Sequence, residues 1–171
     1  MKVVFALVAA LLVAALLLPQ VAAAQETVAL AVEGWRQETR NDIVYYRCAS
    51  EICAAGSVVS TKRQPHRPAV SLAEFETHHR GLAKQNSGSG NVITARVTEA
   101  RQRVIDGVRV IQISREVEWT SKTKTFTIEA RLIGKGKSFS LVSDSPKLEW
   151  TVNNFEGFLR RMVDIAGIEG N

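Results

Sequence analysis

The sequence predicts an α+β domain: an antiparallel sheet, made of an N-terminal hairpin plus a four-stranded meander, flanked by two helices. Three observations predict it. Residues 93–143 alternate apolar and polar side chains and are interrupted by turn residues, the pattern of antiparallel strands with one buried face. A helix-opening motif at Ser71 precedes this stretch, and an apolar stripe of helical period follows it from Val152. Before both, a β-rich segment folds back on itself around Cys48 and Cys53.

The chain opens with an export signal. Lys2 supplies a positive start, Val3–Leu18 is an unbroken apolar run of 16 residues, and Pro19-Gln20 ends it. Ala22-Ala23-Ala24 gives the small residues of a cleavage site, which places the cut before Gln25. A membrane-spanning helix needs ~20 apolar residues, so the run is too short to be an anchor. A lipid anchor needs a cysteine directly after the run, and the first is Cys48. Residues 25–171 then form one domain of 147 residues with no further spanning segment. The protein is expected in the periplasm or secreted.

Charge narrows the partners. The formal charge of +5 falls to +4 once Lys2 is removed. The cations are scattered as Lys62-Arg63, Arg101 and Arg103, Lys122 and Lys124, and Lys135 and Lys137. No arginine-rich helix or aromatic-interleaved basic stretch appears, which argues against nucleic acid. In a meander successive turns alternate ends, so the turn lysines do not form one patch.

Glu26–Trp35 alternates loosely and is expected as a strand or entering segment. Ile43–Cys48 and Cys53–Ser60 are β-rich and separated by Ala49-Ser50-Glu51-Ile52, which predicts a hairpin with the two cysteines facing each other across the strands. An even cysteine count in an exported chain favours a disulfide. The closed loop is short, so the expected stabilisation is only ~2 kcal/mol. Lys62–Pro68 is expected as a linker. Ser71-Leu72-Ala73-Glu74 is a capping box, followed on one helical face by Leu72, Phe75, His79 and Leu82. Asn86–Asn91 ends that helix.

Four strands follow: Ile93–Ile105, Val108–Trp119, Thr125–Ile133 and Ser138–Ser143. Asp106-Gly107 is a two-residue hairpin signal. Ile111, Ile113, Val117 and Trp119 are expected on one buried face, and Phe126, Ile128, Ala130 and Leu132 likewise. The last helix is expected over 152–166, docking Val152, Phe155, Leu159, Met162 and Val163 onto the meander.

No motif fixes a chemistry. His78-His79 with Glu74 and Glu76 lacks a metal-site pattern, and Cys48 and Cys53, spaced C-x4-C, make neither a redox motif nor a zinc site. His66, Asp106 and Asp144 have no nucleophile motif beside them, and Gly134-Lys135-Gly136-Lys137 is turn chemistry. No cofactor is expected. Glu116, Glu118 and Glu129 on adjoining strands are candidates for a small hydrolase acting on an envelope polymer. Trp35, Tyr45, Tyr46, Glu116 and Glu118 are the candidates for a ligand or partner surface.

The segments Phe139-Ser140-Leu141-Val142-Ser143 and Asn153-Asn154-Phe155-Glu156-Gly157-Phe158-Leu159 resemble the last strand and the F-x-x-F/L helix of bacterial members of the PsbP-like superfamily, named for an extrinsic photosystem subunit. The element order between Ile43 and Ala166 is similar to that family as well. The resemblance implies binding or assembly with no shared catalytic set, and it carries over no site residue. The expected function is therefore a non-catalytic envelope protein that binds another protein or a ligand, with the hydrolase as the alternative.

Exported protein is expected to begin at Gln25 and to weigh two hydrogens less than after reduction. Intact-mass spectrometry with and without reductant checks both points. Free thiols at Cys48 and Cys53 would refute the disulfide.

Overall fold

The computed structural model describes residues 29–167. The expected export signal, its cleavage point and the start of the Glu26–Trp35 segment lie outside the described residues. The elements run β1 (Trp35–Arg40), β2 (Ile43–Cys48), β3 (Val58–Gln64), α1 (Leu72–Asn86), β4 (Val92–Ile105), β5 (Val108–Trp119), β6 (Lys124–Ile133), β7 (Ser138–Ser145) and α2 (Leu148–Gly167). The strands form one seven-stranded sheet in the order β1-β2-β3-β7-β6-β5-β4, antiparallel throughout. The α+β class is as expected, with one more strand.

The extra strand is β1. The strand expected over Glu26–Trp35 instead starts at Trp35, where that segment ends. Asn41 and Asp42 both take positive φ (49° and 61°), the twist-matched turn of a two-residue hairpin. Asp106 and Gly107 (48° and 78°) make the same turn between β4 and β5. β1 carries Arg36, Gln37, Glu38 and Arg40, so its polar sequence does not show the alternation of a half-buried strand. Such charge is what an outer strand needs to discourage pairing with another chain.

The C-terminal helix covers one face of the sheet. Phe155, Phe158, Leu159, Met162, Val163 and Ala166 form its buried stripe. They pack with Tyr46, Val59, Val110, Ile128, Ala130, Leu132, Phe139 and Leu141 in one core. Val152, expected in the stripe, is 37% exposed; the helix begins earlier, at Leu148, and turns Thr151 inward instead. Thr151 Oγ1 donates to Phe126 O (3.2 Å), and Ser143 Oγ donates to Thr151 O (3.0 Å). At the far end a Cβ on Gly134 would lie 2.0 Å from Ala166 O, so only glycine lets α2 close onto the β6–β7 turn.

The opposite face is only partly covered. Ser71 and Glu74 make the expected reciprocal cap: Glu74 N donates to Ser71 Oγ (3.2 Å) and Ser71 N to Glu74 Oε2 (2.8 Å). α1 then packs Ala83 and Phe75 against Val97, Ile113, Ala95 and Ala100 of β4 and β5. Ile111, Ile113, Val117 and Trp119 belong to this side, not to the core under α2, which takes Val108 and Val110. β5 is buried on both faces over Val108–Ile113, which is why its sequence did not reveal which side meets which helix.

Phe155 is fully buried under α2. Phe155→Ala is expected to cost ~3–5 kcal/mol in urea unfolding, from lost burial plus the cavity left behind.

Candidate functional site

The five residues expected to line one surface are dispersed. Trp35 lies edge-on against Phe158, with ring centroids 5.2 Å apart, on the α2 face. Tyr46 is on the same face but fully buried. Its hydroxyl accepts from Leu30 N at 2.7 Å, and burial pushes its phenol pKa up. Tyr46 is therefore a core residue and no part of a surface. Tyr45 points to the opposite face, in register with Ser60. Glu116 and Glu118 lie towards the β4 edge, in register with Arg96 and Thr94. Glu116 accepts from Arg96 Nη2 (2.9 Å) and Lys124 Nζ (2.6 Å). These bonds hold its carboxyl below the usual range, which suits a structural ion pair rather than a proton donor.

The cysteines form the disulfide, with Cα atoms 5.7 Å apart, but not as a cross-strand pair. Cys48 ends β2 in register with Trp35 of β1, and its N–H bonds Ser57 O (3.1 Å). Cys53 sits in the β2–β3 connection, and β3 begins only at Val58 and runs on through Lys62–Gln64, where a linker was expected. Gly56, at φ +82°, and the Ser57 N to Ala54 O bond (2.9 Å) turn residues 54–57 into a loop rather than ladder. The disulfide thus ties a loop to a strand end. Gly34 seats that loop: its φ is +78°, and a Cβ there would lie 2.4 Å from Ser50 Oγ and 2.7 Å from Ile52 Cδ1. Ala49 N donates to Gly34 O (2.9 Å). Ile52, at the tip, remains 62% exposed. A groove of about 290 Å³ runs beside it, lined by Val32, Trp35, Ile52, Asn153, Phe158 and Arg161.

A second, larger cleft of about 450 Å³ opens on the other face of the sheet, between α1 and β6. Arg67, Phe75, His78, His79, Glu129 and Arg131 line it. Each has a structural reason for its place. His79 follows Phe75 by one helical turn, and their rings meet at a tilt of 59° with centroids 4.4 Å apart. Glu129 and Arg131 alternate with the core residues Ile128, Ala130 and Leu132 along β6. Arg67 is on the segment before α1, which is anchored on both sides. His66 Nδ1 and Ser138 Oγ are 3.2 Å apart, Arg109 Nη1 donates to Val70 O (2.7 Å), and Arg109 Nη2 donates to Pro68 O.

The electrostatics of this cleft are perturbed. His79 is 4% exposed, and its Nδ1 has no hydrogen-bond partner; Glu129 Oε2 is 3.7 Å away. Burial, then the neighbouring His78, Arg115 and Arg131 charges, push its pKa down to about 4. Burial pushes the Glu129 carboxyl up, against the pull of Arg115. Burial also pushes up Asp144, which accepts from Thr127 Oγ1 at 2.5 Å. Burial and the nearby Arg67 lower Arg131, an effect that Glu129 opposes. Among the described residues no group of three or more His, Cys, Asp or Glu is placed to hold a metal. Glu74, once weighed beside His78, is committed to the Ser71 cap.

Sequence reasoning did not assemble this cleft. It placed Thr127, Glu129 and Arg131 together on the wet side of a strand, which is correct. It could not show that the strand is central, so that its wet side is half-buried. The basic clusters read from the sequence also leave out Arg67, Arg115 and Arg131, which come singly from a linker and two strand interiors.

His79 titration should be visible in stability. Its folded pKa lies below the unfolded value of ~6.5, so its contribution is complete above that pH and is lost as pH falls toward 4. Glu129 and Asp144, raised instead, act in the opposite direction. The stability of wild type relative to His79→Gln is therefore expected to decline between pH 7 and 4 in urea titrations. A constant difference would mean that His79 titrates as in the unfolded chain.

No family model matches the sequence, and no curated protein is significantly similar to it. Solved structures are similar in fold. The solution structure of cyanobacterial PsbP from Synechocystis sp. PCC 6803 matches at 15% identity and a TM-score of 0.51, over 78% of this chain and 79% of its own. A Pseudomonas aeruginosa protein of unknown function matches at 5% identity and a TM-score of 0.49, over 80% and 99%. The chain has a PsbP-like fold.

Proposed function

We infer that the protein is an exported, non-catalytic binding or assembly protein of the cell envelope. Residues 1–24 would direct export, and residues 25–171 would act as one domain on another envelope protein. The observation that carries this reading is the disulfide-tied loop. It is seated on Gly34, joined to β2 by Cys48–Cys53, and holds Ile52 62% exposed beside the Trp35 groove. A large apolar side chain held in one place loses little freedom on binding, which favours recognition. Its exposure is costly unless something covers it.

The PsbP-like fold supports the same reading, because the resemblance implies binding or assembly. The hydrolase alternative is less well supported. Glu116 and Glu118 lie on the α2 face of the sheet, whereas Glu129 lines the cleft beneath α1 and His66 meets Ser138 on that same side, so the three candidate carboxylates do not converge.

A photo-crosslinking residue at position 52, introduced into the full-length chain in its native cells, is expected to capture a defined envelope protein. The same residue at Val104, which is 67% exposed on the opposite outer strand, is expected to capture none. The same products at both positions, or recovery of the protein only in the cytosol, would overturn the reading.

A further inference from the structure

We propose that the cleft between α1 and β6 is a binding site for a small amphiphilic anion. Arg67 and Arg131 would take its carboxylate or phosphate group, and Phe75, Val70 and Leu82 would take its apolar part. The site lies on the opposite side of the sheet from Ile52 and does not depend on a protein docking there.

Arg67 and Arg131 both line the cleft. Burial and then the Arg67 charge lower the Arg131 pKa, an effect that Glu129 opposes. Neither guanidinium lies within ion-pair distance of a carboxylate among the described residues. Some arginines of the chain are matched to carboxylates. Arg96 bonds Glu116 at 2.9 Å, and Arg103 bonds Glu156 at 2.6 Å, with Arg101 at 3.8 Å from the same carboxylate. Two guanidiniums lining one cleft without an ion-pair partner offer donors for an oxyanion.

Geometry supports the pairing. Arg131 is fixed in the middle of the sheet by the β6 ladder. The segment that carries Arg67 is held at the cleft by the two anchors already described, His66 to Ser138 and Arg109 to the Pro68 and Val70 carbonyls. The cavity of about 450 Å³ is the size of a small-molecule site. Its walls are mixed: Val70, Phe75 and Leu82 on one side, charged groups on the other. Two acids also line it. Ser71 N and Oγ engage the exposed Glu74 carboxylate and hold it ionised, whereas burial pushes the Glu129 carboxyl up, so an anion meets its main opposing charge at Glu74 on the helix. His79 adds a second sign of an unfilled site. It is 4% exposed, its Nδ1 makes no hydrogen bond and has Glu129 Oε2 at 3.7 Å, and it lines the same cleft.

The test uses the folded, oxidised protein and four probes: hexanoate, hexyl phosphate, inorganic phosphate and hexylammonium. Calorimetric titration is expected to show saturable binding of hexanoate or hexyl phosphate, weakening with added salt. The tighter of the two identifies the anionic group. Hexylammonium is expected not to bind. Arg67→Gln and Arg131→Gln are each expected to weaken binding about tenfold or more, the loss of a charge-assisted hydrogen bond. Arg67 is exposed on a segment outside the core, so Arg67→Gln keeps the test open even if the Arg131 variant does not fold. The His79 ring resonances should also move on binding in the wild type. Equal affinity in the wild type and Arg67→Gln, binding of hexylammonium, or no binding of either hexyl anion would overturn the proposal. Inorganic phosphate binding as tightly as hexyl phosphate would overturn the role of the apolar wall.

Discussion

The packing of α2 across the sheet governs where everything else can sit. Its buried stripe, from Phe155 to Ala166, reaches side chains of β2, β3, β5, β6 and β7 in one core. Hydrophobic burial on this scale is the main favourable term in a domain of this size, and it closes one face of the sheet. α1 is shorter, 15 residues against 20, and it packs on β4 and β5 at one side of the other face. The unequal cover leaves β6, β7 and β3 with a face that is neither core nor open surface. Polar groups there are partly desolvated yet still reachable, which is the setting in which pKa values move.

The same residue types are used differently on the two faces. Beside α2, Glu116 and Glu156 are each matched to nearby arginines or a lysine, and the contacts are largely exposed. Such pairs add little to stability. On the α1 face, Arg67 and Arg131 lack an acid at contact distance, while Glu129 and Asp144 are drawn by Arg115. The net charge of +5 does not distinguish these arrangements; strand register does.

Much of the fold was legible because most of its strands obey simple local rules. Asp106-Gly107, the Ser71–Glu74 cap and the alternation from Thr125 to Ile133 each specify structure within a few residues. The failures came where a residue's role depends on partners distant in sequence. β1 is polar because it is an outer strand, and nothing within Trp35–Arg40 announces that a hairpin follows. β5 is apolar on both sides because helices from both ends of the chain meet it. Tyr45 and Tyr46, as neighbours on a strand, must point to opposite faces, but only the position of α2 decides that Tyr46 is the buried one. The disulfide partners were readable from their number, whereas the loop geometry rests on Gly34, which lies before β1.

The pairing of β3 with β7 has a consequence for how the chain folds. Ser57 Oγ meets Ser145 Oγ across that pairing, 88 residues apart, with α1 and three strands of sheet between them in sequence. During synthesis the β1–β2–β3 segment emerges long before its neighbour exists, and contacts of such separation form slowly. Until β7 arrives, β3 presents an open hydrogen-bonding edge that can recruit the wrong strand. Its exposed side carries Lys62 and Gln64 rather than a continuous apolar row, which makes that edge a poor template for another chain. The order of synthesis therefore sets the order of closure: the seam between β3 and β7 inside the sheet can be sewn only after the last strand is made.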